Sequence, residues 1–132
     1  MTTDLQTLAV ELQSLGVRTV GDPGETRSGG AGPSDAGFLW IDGAPLTVPV
    51  HGDYAERSPY ELRLNGARGR GVLFRDGVEV GPVRLHPRPR IYDLETADGI
   101  PYWKIALMHL DSLASTVFQR CVYWGTHEQC HF

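Results

Sequence analysis

The residues best suited to chemistry sit together at the carboxyl end of the chain. The run Cys121-Val122-Tyr123-Trp124-Gly125-Thr126-His127-Glu128-Gln129-Cys130-His131-Phe132 holds both cysteines and two of the five histidines. Thiolates are soft ligands, suited to iron–sulfur clusters and to zinc. A strand leading into Cys121, followed by a loop that carries Cys130, would be a sound way to build such a centre. The strand end fixes one ligand and the loop brings the second around the metal. Two cysteines alone leave three readings open: thiols that ligate nothing, an iron–sulfur site, or zinc held by Cys121, Cys130 and one or both of His127 and His131. Cysteine and histidine can together supply four tetrahedral ligands. The pattern Cys-x5-His-x2-Cys-His nevertheless matches no recognised zinc spacing, and Cys130 and His131 diverge if the backbone there is extended.

Composition narrows the setting of this loop. The chain has 132 residues, 41% of them hydrophobic, enough for one modest core. Its net charge is −4 and its basic residues are scattered, which argues against nucleic acid and against an anionic membrane surface. Arg84, Arg88 and Arg90, set around Pro87 and Pro89, read as a solvated face. No apolar run approaches the roughly 20 residues of a membrane span. The start, Met1-Thr2-Thr3-Asp4, lacks the layout of a signal peptide, so a cytoplasmic protein is expected. In that reducing compartment two cysteines serve as thiols or metal ligands rather than as a disulfide.

The elements that must position the loop form an α+β chain. Leu5, Leu8, Ala9, Leu12 and Leu15 share one face of an amphipathic helix. Thr3 is placed to cap it, with Gln6 completing a capping box, and Gly16 is placed to end it. Gly21 to Gly37 reads as loop. Its segment Gly29-Gly30-Ala31-Gly32-Pro33-Ser34-Asp35 lacks the Lys-Ser/Thr ending of a phosphate loop, and Pro33 removes an amide donor. A structured turn, or a loop closing over a neighbouring domain's site, is the expected use. Two hairpins follow, turning at Asp42-Gly43 and Asp76-Gly77. Pro45 and Pro49 mark an edge strand. His51 to Gly69 reads mostly as loop, with a short extended piece near Tyr60-Glu61-Leu62. The hairpins are expected to form one small antiparallel sheet against the first helix. His86-Pro87-Arg88-Pro89-Arg90 reads as an extended connector out of this β region.

Beyond the connector, Asp98-Gly99 makes a turn and Pro101 opens a second helix through Tyr102, Ile105, Ala106 and Leu107 to about His109. Ser115-Thr116-Val117-Phe118-Gln119 then reads as the strand into Cys121. Tyr123 and Trp124 are taken as packing residues. His51, His86 and His109, which are far apart, are taken as structural or exposed. Lys104 is expected to snorkel to the surface.

Three of these features together resemble one family: the Gly29–Asp35 segment, Tyr92-Asp93-Leu94 with Thr96-Ala97-Asp98-Gly99-Ile100-Pro101-Tyr102, and the strand into Cys121. The family is an uncharacterised group of radical S-adenosylmethionine (SAM) proteins encoded beside a nitrilase in a bacterial gene cluster, and the resemblance runs from about Leu15 to Phe132. It implies an N-terminal α+β extension over 1–112. Residues 113–132 would be the first strand and cluster loop of a partial (β/α) barrel. It also implies a [4Fe–4S] cluster on three cysteines, with SAM on the remaining iron, whose cleavage yields a 5′-deoxyadenosyl radical. By position, Cys121 and Cys130 are the first and second cluster ligands. Cys130-His131-Phe132 matches the opening of the Cys-x-aromatic-Cys ending, which places Phe132 near the adenine of SAM. The eight residues between Cys121 and Cys130 fit this family but exceed the gap of the wider superfamily. The third cysteine is expected beyond Phe132, so the chain reads as a fragment, inactive alone, of an enzyme with an unidentified small-molecule substrate. A flavodoxin or ferredoxin is the expected reductant. The alternative is a small β-rich zinc-binding or protein-interaction module without catalysis.

Overall fold

The computed structural model describes residues 4–21, 36–65, 69–109, 112–115, 122–123 and 125–128. They fall into two compact units that divide between Pro87 and Arg88. The class is α+β, and among the described residues no helix is long and apolar enough to cross a membrane.

The first unit begins with α1 (Leu5–Leu15), which buries Leu8 and Leu12 while Leu15 is exposed. Asp4 precedes the first turn and its carbonyl accepts from the Leu8 N–H at 2.9 Å. The capping role expected of Thr3 lies outside the described residues. Gly16 ends the helix as expected: its N–H donates to Leu12 O at 2.9 Å, with φ +71°. A Cβ there would fall 2.9 Å from both Ala55 Cβ and Pro49 O, so only glycine fits both the angle and the space.

The sheet has six strands: β1 (Arg18–Val20), β2 (Ala36–Ile41), β3 (Ala44–Pro49), β4 (Tyr60–Leu64), β5 (Arg70–Arg75) and β6 (Val78–Leu85). Their spatial order is β1-β4-β5-β6-β2-β3, with β1 parallel to β4 and every other pair antiparallel. Both hairpins form at the Asp-Gly pairs. Asp42 and Asp76 take φ +49°, and Gly43 and Gly77 take φ +81°, the pairing of positive angles that matches the twist of the flanking strands. The proline-bearing β3 is an edge strand, as its sequence requires. A register shift between Leu73 and Phe74 bends β5 against β6. The sheet curls until its edges meet, where the Val17 N–H, just before β1, donates to Pro49 O at the end of β3 at 2.9 Å. Inside the curl, Leu8, Leu12, Val17, Leu39, Ile41, Val48, Tyr60, Leu62, Leu73 and Val83 make one buried cluster.

The stretch read mostly as loop from His51 to Gly69 contains two elements, one of them the extended piece expected near Tyr60-Glu61-Leu62. Asp53–Glu56 forms the single helical turn α2, and β4 is an interior strand of the sheet. Tyr60, Leu62 and Leu64 alternate with Glu61 and Arg63, so the strand is half charged by composition yet period two by pattern.

In the second unit a 3₁₀ turn, Arg90–Asp93, leads into a closed turn. Glu95 bridges Pro101, the Thr96 N–H donates to Ile100 O at 2.9 Å, and the Gly99 N–H donates to Thr96 O at 2.9 Å. The helix expected from Pro101 to His109 is not formed. Tyr102–Lys104 makes one 3₁₀ turn, and β7 (Ala106–His109) pairs antiparallel with β8 (Ser112–Ser115). A helix of that length is marginal by itself, and the contiguous apolar run suits a strand as well once a partner strand is near. Ser115 ends β8, while Thr116 to Gln119 and the approach to Cys121 lie outside the described residues. The described strands make no (β/α) barrel.

Candidate functional site

Cys121, Cys130 and Phe132 lie outside the described residues, as do Trp124, His131 and the Gly29–Asp35 loop. What is described is much of the peptide between the two cysteines. Gly125 takes φ +81°. The Thr126 N–H donates to Tyr123 O at 3.0 Å, and the Thr126 hydroxyl donates to the same oxygen at 2.7 Å. That hydroxyl also accepts from the Glu128 N–H at 3.2 Å. Thr126 therefore pins a turn locally, by the hydroxyl-to-backbone bonding that this residue type favours in turns. Val122 is exposed and Tyr123 is half exposed, so Tyr123 does not have the packed setting expected of it. The His127 side chain is 93% exposed and lies 3.9 Å from a Glu128 carboxylate oxygen. Among the described residues no three His, Cys, Asp or Glu side chains come together as a metal-ligand group.

Upstream, the motif residues have structural work. The Tyr92 hydroxyl accepts from the Met108 N–H at 3.1 Å, tying the 3₁₀ turn to β7. Arg88 pairs with the Asp93 carboxylate and donates to Tyr92 O at 3.1 Å. The Thr96 hydroxyl accepts from the Ile100 N–H at 3.1 Å. Ser115 Oγ donates to Ile105 O at 2.7 Å, closing the β7–β8 hairpin. Lys104 is exposed and lies 5.4 Å from the centre of the Trp103 ring, in line with the expected snorkelling.

The first unit holds a polar constellation that sequence reasoning did not find. Tyr60 is fully buried, its hydroxyl donates to Glu11 Oε2, and Arg75 Nη1 lies 2.9 Å from the same oxygen. Burial, and then the hydrogen bond and charge of Glu11, push the phenol up to about 12. Forty-nine positions separate Tyr60 from Glu11, so no local pattern announces the pair. The buried Ser58 works beside it. Its hydroxyl donates to Gly16 O at 2.7 Å and accepts from the Tyr60 N–H at 3.1 Å, while Arg18 Nε donates to Ser58 O at 3.0 Å. On the outer face Glu61 joins Arg63 at 2.6 Å and Arg18 at 3.3 Å. The hydrogen bond from Arg63 holds the Glu61 carboxyl below its usual range. His51 and His86 are half-buried.

Neither a family model nor a curated protein nor a solved structure matches this chain.

Proposed function

We propose that this chain is the amino-terminal portion of a cytoplasmic radical SAM enzyme, with Cys121 and Cys130 as two ligands of a [4Fe–4S] cluster. The observation that carries the reading is the peptide between those cysteines: a solvent-exposed turn, pinned by Thr126 and glycine-assisted at Gly125. A turn in the peptide that links them is compatible with two ligands of one centre. The donor set fits, since thiolates are the ligands that hold such clusters. Bound there with SAM, the cluster would supply the electron for reductive cleavage to methionine and a 5′-deoxyadenosyl radical.

The chain's own residues bind and orient. Cys121 and Cys130 would hold the cluster together with a third cysteine in the longer protein. Phe132 would face the adenine of SAM, as the family resemblance implies. The substrate is a small molecule, and a flavodoxin or ferredoxin delivers the electron. In this reading the barrel begins near residue 113, a functional boundary different from the structural division at Pro87 and Arg88.

The test is anaerobic reconstitution with iron and sulfide of the protein encoded by the full reading frame through and beyond Phe132. The expected outcome is about four irons per chain, SAM cleavage under reductant, and loss of both in Cys121→Ser and Cys130→Ser. A chain that instead takes up one zinc and loses structure with a chelator is the zinc module, and the enzyme reading then fails.

A further inference from the structure

The outer face of the curled sheet carries a charge pair that its ion pairs leave uncompensated. Arg70 in β5 stands directly opposite Arg84 in β6, and Arg84 stands opposite Trp40 in β2. Residues opposite one another in an antiparallel ladder share a face, with Cβ atoms about 5 Å apart, and like charges there repel. Both arginines are exposed. The arginine ion pairs of the described residues join Arg18 and Arg63 to Glu61, Arg75 to Glu11 and Asp76, and Arg88 to Asp93. Arg70 and Arg84 enter none of them. Arg84 instead holds its guanidinium carbon 5.3 Å from the centre of the Trp40 ring. The backbone around the pair is fixed: the Asn65 N–H donates to Arg70 O at 3.1 Å, and the Leu85 N–H donates to Gly69 O at 3.0 Å.

We propose that Arg70, Arg84 and Trp40 form a binding site for a single phosphate group. Two guanidinium forks at cross-strand spacing can each offer paired N–H donors to one phosphate, which turns a repulsive pair into a charge-assisted clamp. Trp40 supplies a flat apolar wall beside it. The scale of the site favours one phosphate over a nucleic-acid strand, because a strand follows a stripe of cations. The next pair on the same face is Val72 with Pro82, and the further cation, Arg63, is held by Glu61 at 2.6 Å and lies 4.0 Å from the centre of the Phe74 ring. The phosphate can be free or carried on an organic ester; the chemistry recognised is the same.

The experiment is a nuclear magnetic resonance titration of the whole chain, following the arginine Nε–H signals at constant ionic strength, with inorganic phosphate in one arm and AMP in the other. Saturable shifts are expected at Arg70 and Arg84 but not at Arg63, with affinity falling at least tenfold in Arg70→Gln and in Arg84→Gln. Tighter binding of AMP assigns an organic phosphate, and equal binding assigns the free ion. In a parallel melt, Arg70→Gln should raise Tm without phosphate and abolish the rise that phosphate gives the parent chain. Shifts that never saturate, that chloride reproduces, or that survive Arg70→Gln overturn the proposal. So does an oligothymidylate whose affinity grows with length and falls in Arg63→Gln.

Discussion

The six-stranded unit and the segment from Arg88 onward are both rich in short strands and turns, yet they are held together differently. Ten buried side chains from α1, the strands and Val17 make one cluster inside the first. In the second, Ala106 is the one buried hydrophobic among the described residues. Its order comes from backbone hydrogen bonds, two 3₁₀ turns, a hairpin of two four-residue strands and the Arg88–Asp93 pair. A buried leucine contributes about 1.5–3 kcal/mol relative to an exposed one, whereas an exposed ion pair contributes about 0–1 kcal/mol. The first unit thus has its own source of stability, and the second draws on smaller contributions. The cysteine loop follows the second unit's hairpin in the chain. A centre bound there would add its binding free energy to the folding of the part that most lacks it.

The largest effect that can break this contrast is a core truncation. Leu12→Ala or Leu73→Ala should cost about 2–5 kcal/mol, the range for a fully buried leucine, read as a lower denaturant midpoint at unchanged m-value. Leu113→Ala in β8, where the side chain is 42% exposed, should change stability by no more than about 0.5 kcal/mol. Equal costs at the two positions would mean that the second unit has a core of its own, and the contrast would be lost.

The same contrast explains what could be read from the sequence. Where one residue type answers one physical need, the reading was sound. Asp42-Gly43 and Asp76-Gly77 supply positive φ, Gly16 ends α1, and the prolines of β3 keep it on an edge. Where an element exists only through a distant partner, the reading failed. β1 is three residues long and is a strand because it lies parallel to β4. β4 is legible only as a short extended piece near Tyr60-Glu61-Leu62, because Glu61 and Arg63 mask its full length and its interior place in the sheet. The segment from Pro101 to His109 has helical spacing, but the β7–β8 pairing overrides it. Of the candidate site, the described residues between the cysteines form a turn, while the roles of Cys121, Cys130 and Phe132 rest on the family resemblance and lie outside the described residues. The Tyr60–Glu11–Arg75 cluster and the Arg70–Arg84 pair were invisible, because each is made by strand register or helix packing rather than by neighbours in sequence.

Tyr60→Phe sharpens the contrast at intermediate size. It removes a hydrogen bond to a carboxylate at the heart of the first unit, worth about 1.5–3 kcal/mol at neutral pH. It also carries a pH signature. In the folded protein the phenol is pushed up from its ordinary value of 10 to about 12, so folding favours the protonated form. That contribution is whole below pH 10 and is lost progressively as pH rises toward 12, because the unfolded chain releases its proton first. Urea midpoints measured across pH 9 to 12 should fall more steeply in the parent chain than in Tyr60→Phe. Parallel pH slopes in the two proteins would show that the buried phenol is not what senses alkali.

Tyr92→Phe should produce the smallest change, and a local one. The Tyr92 hydroxyl accepts from the part-buried Met108 N–H of β7. A hydrogen bond of this neutral kind contributes about 0.5–1.5 kcal/mol, equivalent to about a two- to tenfold change in the opening equilibrium. Amide exchange at Met108 should therefore quicken by about that factor. Exchange at Leu62 and Leu73, at the centre of the six-stranded sheet, should not change, because their protection reports opening of a different unit. If the substitution instead speeds exchange at Leu62 and Leu73 by the same factor as at Met108, the two units open together. The stability of the core then extends to the segment that carries the cysteine loop.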